Sequence, residues 1–222
     1  NFSLIHDNLP CMDNDDLRRG RPTNHKVYCE AMATLAGDGL QAAAFETMNH
    51  DMLLYFDDPA ALKKRIRASY EISKGAGCRG MVAGQVADME AEDKNCSQEM
   101  VHYIHLGRTA ALVVAAVRAG AQLGNWDPEM RAQLTIYAEN LGLAVQICDS
   151  ILDVVGEEEK MGKKAGMDSI NKKATYPALY GLEKSKEHLE ELTDTAIEAL
   201  ARYDDNAEVL TKLAKDLEVR GK

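Results

Sequence analysis

The spacing of apolar residues constrains this chain more than any other feature of its sequence. Apolar side chains recur at intervals of three and four positions along most of its length, and no segment keeps a two-residue alternation for long. Ala, Leu, Met and Glu, which favour helices, are abundant, whereas only 5% of the residues are aromatic. The sequence therefore predicts an all-α fold, and its 222 residues are compatible with one large domain over 1–222.

Helix-start signals place several of the helices. Asp58-Pro59 and Asp127-Pro128 each put a capping side chain before a proline at the first helical position, and Ser97 precedes a further helical segment. We predict helices near 24–50, 59–74, 78–92, 97–123, 128–155, 175–203 and 206–220, with loops at 8–23 and 156–174.

Two acidic clusters follow apolar runs, one from Asp7 to Asp16 and the other from Asp149 to Asp153. Carboxylate oxygens suit Mg²⁺, which usually takes one or two carboxylates and leaves its other positions to water and phosphate. Basic side chains follow both clusters, arginines within 17–23 and lysines within 156–174. Metal ligands followed by anion-binding side chains predict a diphosphate site.

Local geometry is expected to bring the carboxylates of each cluster together. Asp149 and Asp153 are four residues apart on a predicted helix, so they project from one face, whereas Ser150 points about 100° away. Pro10 interrupts a helix that we expect to end at Asp7, and the bend returns Asp13 to the same ion. A solvated helix face is the alternative interpretation of an isolated aspartate pair.

Composition excludes several classes of function. The formal net charge of -10 and the lack of a long basic block argue against nucleic acid and against a polybasic membrane tether. The apolar run 109–123 contains Arg118 and is preceded by Arg108, so we expect it to be too short and too charged to span a bilayer. His102 and His105 have a metal-compatible spacing, but no third ligand is near, which favours a surface or hydrogen-bonded role.

The cysteines and the first residue bear on the origin of the chain. The five cysteines are odd in number and lack paired spacing, which predicts reduced thiols and a cytoplasmic location. No signal peptide is recognisable. Asn1 stands where an initiator Met would be, so we expect the sequence to begin inside a longer gene product.

Several ordered motifs resemble those of the trans-isoprenyl diphosphate synthases, most closely the bacterial farnesyl and geranylgeranyl diphosphate synthases. The segment Ser3–His25 resembles their first aspartate-rich motif, and Gln146–Asp153 resembles the second. Further matches are Leu35–Asp38, Gly80–Gln85 with Asp88, Arg108-Thr109, Gly162-Lys163 and Lys173–Pro177.

The resemblance implies an isoprenoid synthase helical bundle around a central cavity and a magnesium-dependent prenyltransferase. The implied reaction condenses isopentenyl diphosphate with an allylic diphosphate, dimethylallyl or geranyl, and gives farnesyl diphosphate. Three Mg²⁺ ions and a homodimer are implied as well. Two alternatives stay open: a degenerate, noncatalytic partner subunit of a prenyl synthase, and a terpene synthase derived from the same scaffold.

The resemblance also implies roles for individual residues. Phe2 matches the aromatic floor of the pocket for the growing chain, where a bulky ring is expected to limit growth to the farnesyl length. The implied metal ligands are Asp7, Asp13, Asp149 and Asp153. The implied diphosphate contacts are Arg18, Arg19, Arg108, Lys163 and Lys173. The implied polar groups that face the cation or line the cavity are Thr109, Gln146, Gln85 and Asp88.

The chain departs from the family pattern at three positions. Asn8 and Ser150 stand where the family usually has the second aspartate of each motif, and Arg108 replaces a lysine. The family's Gly-Lys-Arg segment for isopentenyl diphosphate, which precedes the first motif, is absent from this sequence. We expect the lost carboxylates to weaken metal affinity.

Overall fold

The computed structural model is helical throughout most of its length, which confirms the all-α prediction. It describes residues 1–92, 94, 96–124, 126–156, 166, 168 and 173–221. Its α-helices are α1 (Phe2–Asp7), α2 (Asn24–Tyr28), α3 (Glu30–Leu53), α4 (Pro59–Ala76), α5 (Met81–Ala91), α6 (Gln98–His105), α7 (Ala111–Leu123), α8 (Pro128–Val155), α9 (Tyr176–Tyr180), α10 (Leu182–Leu200) and α11 (Asp204–Gly221).

Side-chain caps explain where three of these helices begin. Asp58 accepts hydrogen bonds from the backbone of the first turn of α4, and Asp127 accepts one from Met130 at the start of α8. Ser97 caps α6 through the Met100 backbone N–H. These caps satisfy backbone donors that a helix start leaves unpaired, as predicted from the sequence.

Two predicted helices were wrong in extent. The predicted helix 24–50 is interrupted at Cys29, whose φ of 75° ends α2, and α3 continues to Leu53. The predicted helix 175–203 is interrupted at Gly181, which has a φ of 83°. Within the predicted loop 8–23, strands β1 (Leu17–Arg18) and β2 (Arg21–Pro22) form an antiparallel hairpin.

Helix α8 lies at the centre of the hydrophobic core. It packs against α7, α10 and α11, and its Tyr137, Ile147 and Ile151 are fully buried. The Tyr137 hydroxyl donates a 2.9 Å hydrogen bond to the Leu210 carbonyl, so its polar end is satisfied inside the core. This packing fixes the helix that carries the second acidic cluster.

A π-helical turn, Leu106–Ala110, joins α6 to α7 and contains Arg108 and Thr109. It packs closely against α5, because a Cβ added to Gly84 would lie 2.1 Å from the backbone nitrogen of Arg108. Single π turns inside helices often occur at functional sites. The turn directs two predicted site residues towards α5 and α8.

The continuous helix Gln98–Leu123 is long and apolar enough to cross a membrane by length and composition, with a mean hydropathy of 1.4. The prediction considered only the run 109–123, which forms the second half of this longer helix. Interior helices of bundles meet the same criteria. This helix carries Arg108 and Arg118, and Arg118 pairs with Glu71 of α4.

Candidate metal and diphosphate site

The first acidic cluster closes on itself through a backbone bend. Helix α1 ends at Asp7, and after Pro10 the Asp13 N–H donates a 2.9 Å hydrogen bond to the Asp7 carbonyl. The Nη2 of Arg108 lies 3.2 Å from Asp7 Oδ1 and also donates to Asp13 Oδ2. Both carboxylates therefore contact one cationic nitrogen, which confirms the predicted convergence of Asp7 and Asp13.

Asp88 anchors the cationic side chains of this site. It is 2% exposed, and its Oδ2 accepts 2.7 Å hydrogen bonds from Arg108 Nη1 and Lys173 Nζ. Lys173 Nζ also lies 2.5 Å from Asp13 Oδ1 and 3.4 Å from Glu92 Oε1. Alternating charges thus connect the first cluster, α5, the π turn and the segment before α9. Glu92 was not identified from the sequence.

The network favours the charged forms of Arg108, Lys173 and Asp13. Burial alone would lower the pKa of Arg108, but Asp7, Asp88 and Asp13 outweigh it and raise that pKa. Burial and Arg108 likewise oppose the charge on Lys173, whose pKa is nevertheless raised by Asp88 and Asp13. Burial would raise the pKa of Asp13, but Arg108 and Lys173 lower it.

Two amide side chains reach the same region. Gln85 Nε2 donates a 2.6 Å hydrogen bond to Asp7 Oδ1 and so fixes one carboxylate oxygen. Thr109 Oγ1 donates a 2.5 Å hydrogen bond to Gln146 Oε1 of α8. The structure therefore brings Thr109 and Gln146 together, one helical turn before Asp149.

The second acidic cluster is arranged differently. Asp149 is exposed, whereas Asp153 is 2% exposed and its Oδ2 accepts a 3.0 Å hydrogen bond from the Asp168 backbone. Gly166 donates to the Asp153 carbonyl at 3.1 Å. Ser150 is buried, and its hydroxyl has no hydrogen-bond partner among the residues that the structure describes. The helical spacing of Asp149 and Asp153 thus holds, but the two carboxylates have very different environments.

Arg18 is the predicted diphosphate-binding arginine that lies beside the first cluster. Its Nη2 donates a 3.0 Å hydrogen bond to Asn8 Oδ1 and lies 3.6 Å from Asp7 Oδ2. Arg19 is exposed in the hairpin, with a φ of 53°. Phe2 is half-buried at the start of α1. Lys163, like most of the predicted loop 156–174, lies outside the described residues.

His105 is buried next to the segments that carry Arg108 and Lys173. The residue is 2% exposed, and its ring lies 5.2 Å from the Tyr176 ring. Burial lowers the pKa of His105 to about 4, so the ring is neutral at physiological pH. His105 lies one turn before Arg108, and Tyr176 lies three residues after Lys173. The sequence analysis considered His105 only for its i,i+3 spacing with His102 and did not identify this position.

The donor set fits magnesium. The carboxylates of Asp7 and Asp13 both contact the Nη2 nitrogen of Arg108, so they converge on the position of one cation. Mg²⁺ prefers oxygen ligands of this kind. Among the described residues, no group of three Asp, Glu, His or Cys side chains is close enough to hold a metal alone. Mg²⁺ commonly completes its coordination with water and phosphate oxygens, so two carboxylates are compatible with such a site.

Comparison with known proteins agrees with this geometry. The sequence pattern of the family described as polyprenyl synthetase matches residues 1–216. The chain is 49% identical to farnesyl diphosphate synthase of Geobacillus stearothermophilus, over 94% of this chain and 67% of that protein. It is 47% identical to farnesyl diphosphate synthase of Bacillus subtilis strain 168, over 85% of this chain and 62% of that protein. The chain thus spans roughly two thirds or less of the length of these relatives.

Solved structures share the fold. A geranyltransferase of Helicobacter pylori, complexed with magnesium and isoprenyl diphosphate, superposes with a TM-score of 0.82 at 31% identity, over 97% of this chain and 69% of that one. An FPP/GFPP synthase of Zymomonas mobilis superposes with a TM-score of 0.82 at 34% identity, over 97% of this chain and 71% of that one. The helical bundle is therefore that of known prenyl synthases.

Proposed function

Because the chain belongs to the polyprenyl synthetase family, we propose that it condenses isopentenyl diphosphate with dimethylallyl or geranyl diphosphate and releases mainly farnesyl diphosphate. The observation that carries the proposal is the Arg108 nitrogen that contacts both Asp7 and Asp13. It marks a cation position lined by carboxylates, beside the cationic groups of Arg18 and Lys173. This combination of charges suits a metal diphosphate.

In the proposed reaction the allylic C–O bond breaks and its electron pair leaves with the diphosphate. Arg108, Lys173 and Arg18 donate hydrogen bonds to the departing oxygens, whose negative charge grows in the transition state. The C=C bond of isopentenyl diphosphate then attacks the allylic cation, and a proton passes to the released diphosphate. Thr109 and Gln146 present polar oxygens near the cation.

Asp7, Asp13 and Asp149 are the proposed magnesium ligands, with Asp153 at the end of the second motif. Mg²⁺, when bound, would neutralise charge on the leaving diphosphate. We propose three ions, as the family resemblance implies. Asp153 Oδ2 already accepts a hydrogen bond from the Asp168 backbone. We therefore assign Asp153 a supporting role in the second motif and not that of an open ligand position. The proposal retains the substrate-binding roles predicted above for Phe2, Arg19, Gln85, Asp88 and Lys163.

We further propose a homodimer and a cytoplasmic location. Helices α2 and α3 expose several large apolar side chains along their length, and an interface between two copies of the chain would cover them. Light scattering coupled to size-exclusion chromatography tests the dimer, and a monomeric mass would contradict it. The exposed apolar residues are Val27, Tyr28, Met32, Leu35, Leu40 and Leu53.

A noncatalytic partner subunit is the second candidate. The observation that favours it is the pair of lost carboxylates, because Asn8 and the buried Ser150 supply no charge to a metal. Such a subunit would keep the fold and the substrate cavity but would depend on another synthase chain for turnover.

The test is a turnover assay with the full chain, Mg²⁺, geranyl diphosphate and labelled isopentenyl diphosphate. A labelled farnesyl diphosphate product, absent when the metal is chelated, is the expected result. No turnover in this assay, together with stimulation of a separate prenyl synthase, would favour the partner subunit. A hydrocarbon or alcohol formed without isopentenyl diphosphate would indicate a terpene synthase.

A further inference from the structure

Helix α1 carries Asp7 but has little hydrophobic anchoring of its own. It is six residues long, none of its residues is fully buried, and its N-cap makes no side-chain hydrogen bond. A helix this short is unstable alone, so contacts with other elements must hold it in place. The position of Asp7 therefore depends on how α1 docks against its neighbour α3.

His6 makes that docking contact, one residue before Asp7. Its Nε2 lies 3.0 Å from the carbonyl oxygen of Thr34 and 3.5 Å from Oδ1 of Asp38. Both acceptors belong to one turn of α3. Because a carbonyl oxygen is only an acceptor, Nε2 must carry the proton and donate it.

Gly37 provides the space for the His6 ring. A Cβ added at Gly37 would lie 2.0 Å from Nε2 and 2.3 Å from Cδ2 of His6, so the ring lies directly on the α3 backbone. The contact joins Ser3–His25 and Leu35–Asp38, two segments that resemble motifs of the prenyl synthases. The resemblance implied no role for Leu35–Asp38. A side chain at Gly37 would displace the His6 ring from its place on the α3 backbone.

We propose that His6 is a positioning residue, which sets the affinity of the first acidic cluster for magnesium by docking α1 on the Thr34–Asp38 turn of α3. The inference rests on the proposed function of Asp7 and Asp13 as metal ligands. Asp7 also meets Gln85 and Arg108 on its other side. Displacement of α1 would separate its carboxylate from Asp13, and small displacements at such sites have large effects on binding and rate.

The matched pair Gly37→Ala and Gly39→Ala tests the docking contact. Both changes add one methyl group to the same helix, but a Cβ at Gly39 meets nothing within 4 Å. Helix propensity alone would make both variants slightly more stable. We expect Mg²⁺ binding, measured by calorimetry with inorganic diphosphate present, to weaken about 10-fold in Gly37→Ala. Binding in Gly39→Ala should match the wild type.

A second pair separates the hydrogen bond from the packing. His6→Phe keeps a ring but loses the donor, whereas His6→Gln keeps an N–H donor on a side chain of similar reach. We expect His6→Phe to weaken Mg²⁺ binding about 10-fold and His6→Gln to restore most of it. The melting temperature of each variant, measured without Mg²⁺ and diphosphate, reports whether the bundle itself is intact.

The outcomes distinguish the two proposals. Wild-type affinity for Mg²⁺ in both His6→Phe and Gly37→Ala would overturn the positioning role and leave the proposed function standing. The positioning role would also be overturned if Mg²⁺ affinity and melting temperature fell together and to the same extent in all four variants. That pattern would indicate a general loss of packing. A wild-type protein that binds no Mg²⁺ with diphosphate would overturn the proposed function first, and the role of His6 with it.

Discussion

The two acidic clusters of this chain resemble each other in sequence but differ in their surroundings. Asp7 and Asp13 of the first cluster contact Arg108, and Asp13 also contacts Lys173. In the second cluster Asp149 is exposed, and the buried Ser150 contributes no charge. The carboxylates of the first cluster therefore belong to the internal charge balance of the bundle, whereas the Asp149 side chain is exposed to solvent.

This difference has a consequence for metal binding. A magnesium ion held by Asp7 and Asp13 would compete with Arg108 for these carboxylates. Arg108 would keep its contact with Asp88, and diphosphate oxygens would replace the contacts that it loses. We therefore expect metal and diphosphate to bind together at the first cluster, whereas the carboxylate of Asp149 is accessible from solvent.

The largest effect should come from removing one carboxylate of each cluster, Asp13→Asn and Asp149→Asn. We expect turnover to fall about 10³-fold in Asp13→Asn and about 10²-fold in Asp149→Asn, since both are proposed metal ligands. Stability should separate them. Asp13→Asn leaves Arg108 and Lys173 undercompensated, which costs about 3 kcal/mol of folding free energy.

Chemical denaturation without metal measures this separation. Asp149→Asn changes an exposed side chain, so its free energy of unfolding should stay within about 0.5 kcal/mol of the wild type. Equal destabilisation by the two variants would show that both clusters take part in the internal charge balance, and the contrast between them would be lost.

The sequence predicted the first cluster well because local chemistry determines it. Pro10 interrupts the helix, and a short bend returns Asp13 to Asp7 whatever packs around them. The family resemblance supplied the distant members, such as Arg108 and Lys173. Helical spacing placed Asp149 and Asp153 one turn apart, but it could not show that Asp153 would be buried.

Features that depend on tertiary packing were missed. Nothing in the residue type of Cys29 indicates a positive φ, and the strands of the hairpin are only two residues long. The π turn at Arg108 packs closely against Gly84, and the periodicity of apolar residues does not encode such a turn. His105 was expected to have a surface or hydrogen-bonded role, and its burial against Tyr176 could not be predicted from the sequence.

Restoring the missing carboxylate of each cluster should change the free energy of unfolding by a smaller amount. It should raise stability in the first cluster and lower it in the second. In Asn8→Asp the new carboxylate meets Arg18, which already donates to Asn8 at 3.0 Å, so stability should rise by about 0.5 kcal/mol. In Ser150→Asp the carboxylate enters a buried position whose hydroxyl has no partner among the described residues, which should cost about 2 kcal/mol.

Denaturation midpoints in metal-free buffer give both values. A Ser150→Asp variant as stable as the wild type would mean that a donor approaches this position. The second cluster would then be able to hold an internal charge, as the first one does. Stabilisation of Ser150→Asp by Mg²⁺ with diphosphate, absent in the wild type, would show that the new carboxylate binds the metal.

The smallest effect concerns pH and tests the link between the π turn and the segment that carries Lys173. His105 makes this link because its ring packs against Tyr176, three residues after Lys173, and burial lowers its pKa to about 4. The folded pKa is below the unfolded value, so the unfolded chain binds the proton more tightly. The stabilisation is complete above about pH 6.5 and is lost as the pH falls towards 4.

Between pH 6.5 and 5.5 the free energy of unfolding should fall by about 1 kcal/mol because of His105 alone. His105→Gln should lose this part of the pH dependence, and His50→Gln, which changes an exposed histidine of α3, should keep it. Identical slopes in all three proteins would mean that the ring accepts a proton without unfolding. Lys173 would then be held by its ion pairs alone, and the first cluster would owe its geometry to charge rather than to the packing behind it.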